Sequence, residues 1–145
     1  MESELVHGLI RQMIETRMAH RQAIQRILKQ NNIEMTFEQL QIMHCLWKAE
    51  GVSQQFLAER TTKDKACLTN LINNLEKKSW VIRVEDAADK RNRLIFLTGE
   101  GKELAKKVMP LLDTIYAYLA KKMNKKRLQT SIDNLVMLND TLNEI

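Results

Sequence analysis

The sequence predicts a mainly α-helical chain with one small β-hairpin, and three observations carry that reading. Turn formers are scarce: the 145 residues include four Gly and one Pro, and aromatic residues reach only 5%, too few for a sandwich or barrel of many short strands. Towards both ends of the chain apolar residues recur every three or four positions, which is the period of an amphipathic helix. Between Trp80 and Leu97 that period gives way to two short β-prone runs around a polar loop. Apolar residues at 44% and charged residues at 28% match a chain able to bury one core, so residues 1–145 are read as a single unit.

The first helix runs from about Ser3 to Lys29, with Leu5, Leu9, Met13, Ile24, Ile27 and Leu28 at helical spacings, and Asn31 and Asn32 end it. Thr36 and Gln39 have the spacing of a capping box and open a second helix through Leu40, Met43, Leu46 and Trp47, which closes at Gly51. Ser53 is suited to cap a short third helix in which Phe56 and Leu57 face inward. A fourth helix starts at Asp64. Its positions Leu68, Leu71, Ile72 and Leu75 form an inner stripe, leaving Lys65, Cys67, Thr69, Asn70, Asn73 and Asn74 outside. Trp80 to Val84 and Leu94 to Leu97 then make a two-stranded hairpin with a charged tip. A long helix follows Gly99 and Gly101, and Pro110 is expected to bend or interrupt it. The last helix repeats Leu128, Ile132, Leu135, Leu138, Leu142 and Ile145, a seam that calls for a partner helix.

Helix, short helix, turn, helix and hairpin in that order make a winged helix-turn-helix. In such a fold the helix after the turn fits the major groove, about 12 Å wide, and presents polar side chains to base edges. Asp89, Lys90, Arg91 and Arg93 crowd the hairpin tip, so an Arg there can reach phosphates or a narrow minor groove. The formal net charge is +5. Its excess begins in the middle: residues 1–52 carry six basic and six acidic side chains, residues 53–102 ten and seven, and residues 103–145 seven and five. Double-stranded DNA is the partner this distribution fits.

The same region resembles the multiple antibiotic resistance regulator (MarR) family of bacterial transcription factors. The resemblance rests on Leu57-Ala58-Glu59-Arg60, Leu75-Glu76-Lys77-Lys78, Asp86-Ala87-Ala88-Asp89-Lys90-Arg91-Asn92-Arg93 and Leu97-Thr98-Gly99-Glu100-Gly101, in the family's order and spacing. It implies a DNA-binding lobe over 36–101, flanked by dimerisation helices at 1–32 and 102–145. It implies DNA contacts from Lys65, Cys67, Thr69, Asn70 and Asn74, with Ser53 and Gln54 at the third helix and Lys90, Arg91 and Arg93 in the wing. Arg91 matches the wing-tip Arg and Asp89 the acid that orients it. Ser79 stands where the family usually has Gly, Ala87 where it commonly has Pro, and Asn70 and Asn74 where Arg is frequent. A homodimeric repressor of palindromic operators, released by a small-molecule effector, often phenolic, is what the resemblance implies.

Other classes fit less well. The sequence has no Gly-rich phosphate loop, nucleophile elbow or His-Glu-x-x-His, so no enzyme is expected. His7, His20 and His44 are too scattered for a helix-borne metal pair, and neither a metal nor a cofactor is expected. Cys45 and Cys67 admit a thiol-based switch at the DNA surface, against the simpler reading of a buried Cys45 and an unreactive Cys67. A winged helix that binds protein instead of DNA is the third class. No stretch has the length of a membrane span and no apolar signal core is seen, so the cytoplasm is the expected location.

Overall fold

In the computed structural model, which describes residues 1–145, helix α1 spans Glu2–Gln30 and ends on Asn31. The Asn31 side-chain amide donates to the Ile27 carbonyl at 2.8 Å, and Asn32 turns the chain with φ of 57°. An Asn tolerates that left-handed geometry better than most residues. Helix α2, Phe37–Lys48, opens on the anticipated box: Thr36 Oγ1 accepts from the Gln39 amide and Gln39 Oε1 from the Thr36 amide, both at 3.1 Å. Helix α3 spans Gln54–Thr61 and helix α4 Lys65–Lys77, capped by Ser53 and Asp64.

Strands β1 (Val52–Ser53), β2 (Val81–Glu85) and β3 (Arg93–Leu97) form an antiparallel sheet ordered β1-β3-β2. The hairpin register pairs Ile82 with Phe96 and Val84 with Leu94, while Val52 pairs with Ile95. The two-stranded hairpin read from the sequence is thus corrected to three strands. A strand of two residues is too short to display a period.

Helix α5 covers Gly99–Lys122 and helix α6 Lys125–Asn143. Pro110 does not interrupt α5, which continues through it. The backbone divides into two compact units, Met1–Val108 and Met109–Ile145.

The core of the first unit gathers Ile24 and Leu28 from α1, Ile42, Met43 and Leu46 from α2, Leu57 from α3, Leu68, Ile72 and Leu75 from α4, and Ile95 from β3. Burying side chains of this size stabilises by about 1.5–3 kcal/mol each before entropy is counted. Helix α1 is therefore two things at once: its last two turns send Ile24 and Leu28 into the core, whereas Leu5, Val6, Leu9, Ile14 and Met18 before them are exposed. Phe56, expected inside, is 41% exposed with the Arg60 guanidinium over its ring. On a helix this short the side of Leu57 takes the core, and Phe56 lies about 100° away. In the second unit α6 buries no residue, leaving Ile132, Val136, Met137 and Leu142 exposed.

Candidate nucleic-acid interface

Helix α4 is positioned by its buried stripe Leu68, Ile72 and Leu75 and by Asp64, whose Oδ1 accepts from the Cys67 amide at 2.7 Å. With that side fixed, Cys67, Asn70, Asn73 and Asn74 are exposed together on the outward side, whereas Lys65, on the same side as Leu68 and Ile72, is exposed because it stands at the first turn. Thirteen residues give α4 a length of about 20 Å at 1.5 Å per residue. The side chains of Lys65, Asn70 and Asn74 make no hydrogen bond or ion pair within the chain, so their polar atoms are directed at solvent or a ligand.

Thr69 is different. Its hydroxyl donates to the Lys65 carbonyl at 2.9 Å and accepts from Gln54 Nε2 at 3.5 Å, which turns it back onto the helix. Ser53 Oγ accepts from the Phe56 amide at 3.0 Å and is occupied as a helix cap. Gln54 likewise spends both ends of its amide inside the fold, since its Oε1 accepts from Arg83 Nε at 2.9 Å. A cleft lined by Gln54, Gln55, Ala58, Lys65 and Leu68 opens between α3 and α4.

The wing tip is held by its own backbone. Asp89 Oδ1 accepts from the Arg91 amide at 3.0 Å, the Asp89 carbonyl accepts from the Asn92 amide at 2.9 Å, and the Asp86 amide donates to the Asn92 carbonyl at 3.1 Å. Asp89 thus orients Arg91 through its main chain, with the guanidinium left free. Lys90 and Arg91 are exposed and unpaired, whereas Arg93 lies 3.4 Å from the Glu85 carboxylate. No hydrogen bond or ion pair joins this tip to the outward side chains of α4.

Sequence reasoning missed Arg83 and Glu76. Arg83 lies on β2 and forms an ion pair with Glu76 of α4; its Nη2 also lies 3.4 Å from the Thr69 carbonyl. The signal was present, because in a strand of period two Arg83 shares a face with buried Val81. A charge on a core-facing strand position calls for a partner. Cys45, expected buried, is half-buried, and Cys67 is exposed.

Residues 35–92 match the MarR family. The transcriptional regulator TtmR of Methylorubrum extorquens is 32% identical over 109 residues, 75% of this chain and 55% of TtmR. The first curated relatives are covered over 55% and 61% of their own length. Among solved structures, NadR in complex with 4-hydroxyphenylacetate superposes with a TM-score of 0.73 and 27% identity, covering 87% of this chain and 88% of NadR. Staphylococcus aureus MepR in its DNA-binding conformation gives 0.75 and 25%, over 94% and 98%. The matched family and the curated relatives are transcriptional regulators, not enzymes.

Proposed function

From the place of this chain in the MarR family, carried by residues 35–92, we infer a sequence-specific DNA-binding transcriptional repressor that acts as a homodimer in the cytoplasm. The observation that supports this most is the outward side of α4: Cys67, Asn70 and Asn74 are exposed together on a helix whose other side is locked into the core. Asn70 and Asn74 are the proposed base readers, since Asn can pair bidentately with adenine. Lys65, Lys90, Arg91 and Arg93 supply charge for phosphates or the minor groove. Ser53 caps α3, the Gln54–Thr69 contact holds α4 against it, and Asp89 holds the wing tip.

The dimer is supported by surface that one copy leaves uncovered. Leu5, Leu9 and Met18 of α1, and Leu119, Ile132, Val136 and Met137 of the second unit, are exposed apolar side chains on long helices. Obligate interfaces of this kind commonly bury about 2,000 Å² or more. A second copy is the proposed cover, and it doubles the DNA contact on a palindrome. Release by a small-molecule effector is part of the proposal, in keeping with NadR, a similar structure solved with 4-hydroxyphenylacetate.

The test is in vitro selection of duplexes with the full chain, followed by affinity measurements over a salt series and sedimentation of the free protein. A steep salt dependence at an enriched palindrome, with a dimer in sedimentation, is expected. A stable micromolar monomer removes the dimer, and failure to enrich any duplex removes the DNA-binding reading.

A further inference from the structure

Gln54 of α3, Thr69 and Glu76 of α4, and Arg83 of β2 meet at one guanidinium, although they are spread over thirty residues of chain. Arg83 donates to Gln54 Oε1 at 2.9 Å, pairs with the Glu76 carboxylate and reaches the Thr69 carbonyl at 3.4 Å. The side chains of Arg83 and Glu76 retain only 21% and 34% of their exposure. A guanidinium presents donors in a rigid planar fork, so three acceptors on two helices fix its plane and, through it, the strand that carries it.

We propose that Arg83 is a positioning residue for DNA binding: it ties the first strand of the wing to the recognition helix, so that α4 and the wing tip are presented to DNA as one preorganised surface. The proposal rests on the DNA-binding reading above. Its physical content is that Arg83 is the one side chain of the wing strands bonded to α4; the other polar links run through the turn between them, where the Ser79 and Trp80 amides donate to the Glu76 and Leu75 carbonyls. The tip loop is braced only within itself, and the outward side chains of α4 form no hydrogen bond or ion pair with the wing. Without the tie, the wing would sample orientations of which only a fraction match the groove, and apparent affinity falls by that fraction. Arg83 adds no charge to the DNA surface in this role, because its guanidinium is already occupied by Glu76.

The experiment uses the full chain with Arg83→Ala, Arg83→Lys, Glu76→Gln, the double variant Arg83→Ala/Glu76→Gln, and Arg91→Ala as a charge control. The probe is the duplex most enriched by the wild-type protein, alongside a scrambled duplex. Arg83→Ala and Glu76→Gln are each expected to weaken binding to the enriched duplex about tenfold, and the double variant no more than either single change, as for members of one coupled pair. The salt slope stays at the wild-type value for both, whereas Arg91→Ala lowers it by about one. Lys at 83 keeps the charge without the fork and is expected to restore little. In the free protein, amide exchange is expected to quicken across β2 and the wing loop in Arg83→Ala and Glu76→Gln while α2 stays protected.

Unchanged exchange in the wing overturns the tie whether or not DNA is bound. A salt slope reduced by about one in Arg83→Ala overturns it as well, because Arg83 would then be a phosphate contact. Additive losses in the double variant do the same. If the wild type enriches no duplex while the wing exchange responds as expected, the tie stands as a feature of the fold and only its role in DNA binding is refuted. Should Arg83→Ala not fold, Glu76→Gln carries the affinity and amide-exchange readouts, and unchanged wing exchange in it overturns the tie.

Discussion

The Trp47 indole N–H donates to the Gly101 carbonyl at 2.9 Å, joining the end of α2 to the first turn of α5 across 54 residues of sequence. On another side Gly101 is packed too closely to carry a side chain. A Cβ there would overlap the Trp80 carbonyl oxygen and press on Leu97, while a Cβ at Gly99 would meet nothing within 4 Å. Gly101→Ala is therefore expected to destabilise the fold by about 1–3 kcal/mol, the usual range for overpacking against backbone. Gly99→Ala should be neutral or stabilise by up to about 1 kcal/mol. Denaturant titrations of the two variants check the contrast; equal effects would remove the steric explanation.

Ser79 occupies a left-handed backbone conformation with φ of 62°, next to the C-cap Lys78 of α4. A Cβ in that region is strained, and the Ser79 main chain supplies its useful contacts: its amide donates to the Glu76 carbonyl at 2.9 Å and its carbonyl accepts from the Thr98 hydroxyl. Ser79→Gly preserves both. The change is expected to stabilise by about 0.5–1 kcal/mol, because relief of left-handed strain exceeds the added entropy of Gly in the unfolded chain. A higher melting temperature at unchanged DNA affinity is the result to look for.

Asn70 is the sharpest test of sequence reading. If its amide pairs with an adenine edge, Asn70→Ala should cost about 1–3 kcal/mol on the enriched duplex and relax preference at one position in each half-site. Dimer symmetry would repeat that position in half-sites about 10 base pairs apart. A base-substitution series compared between wild type and variant decides; an equal loss on every duplex would make Asn70 a phosphate anchor.

His44 gives the acid side of the stability curve its direction. Burial lowers its pKa below the ordinary 6.5, and the charge of Lys48 lowers it further. A depressed pKa in the fold means that the unfolded chain binds more protons between the two values, so stability is full above pH 6.5 and is lost as pH falls through the folded value. His44→Gln should flatten that part of the curve. Glu38 acts in a lower window. Burial would raise its pKa, but its own backbone hydrogen bond, the Arg21 guanidinium at 2.7 Å and the charge of Lys63 together bring it below 4.5. Its contribution is present above pH 4.5 and is lost below it. Urea midpoints from about pH 8 to about pH 3 separate the two.

What the sequence determined by itself lies within a few residues along the chain. The Thr36 and Gln39 box, the caps Ser53 and Asp64, the turn at Asn31 and Asn32 and the inner stripe of α4 all obey spacings of three or four, set by helix geometry whatever surrounds them. Those signals located the outward side of α4, and the two β-prone runs around a polar loop located the charged hairpin tip. Tertiary structure decided the rest. Strand β1 exists because β3 offers it a partner, Phe56 stays outside because Leu57 takes the core, and Thr69 turns inward towards Gln54. Arg83, Glu76 and Gln54 converge, and Gly101 meets Trp80, over separations that carry no periodic signature. A contact between residues far apart in sequence is set by how whole elements pack, and no local spacing records it.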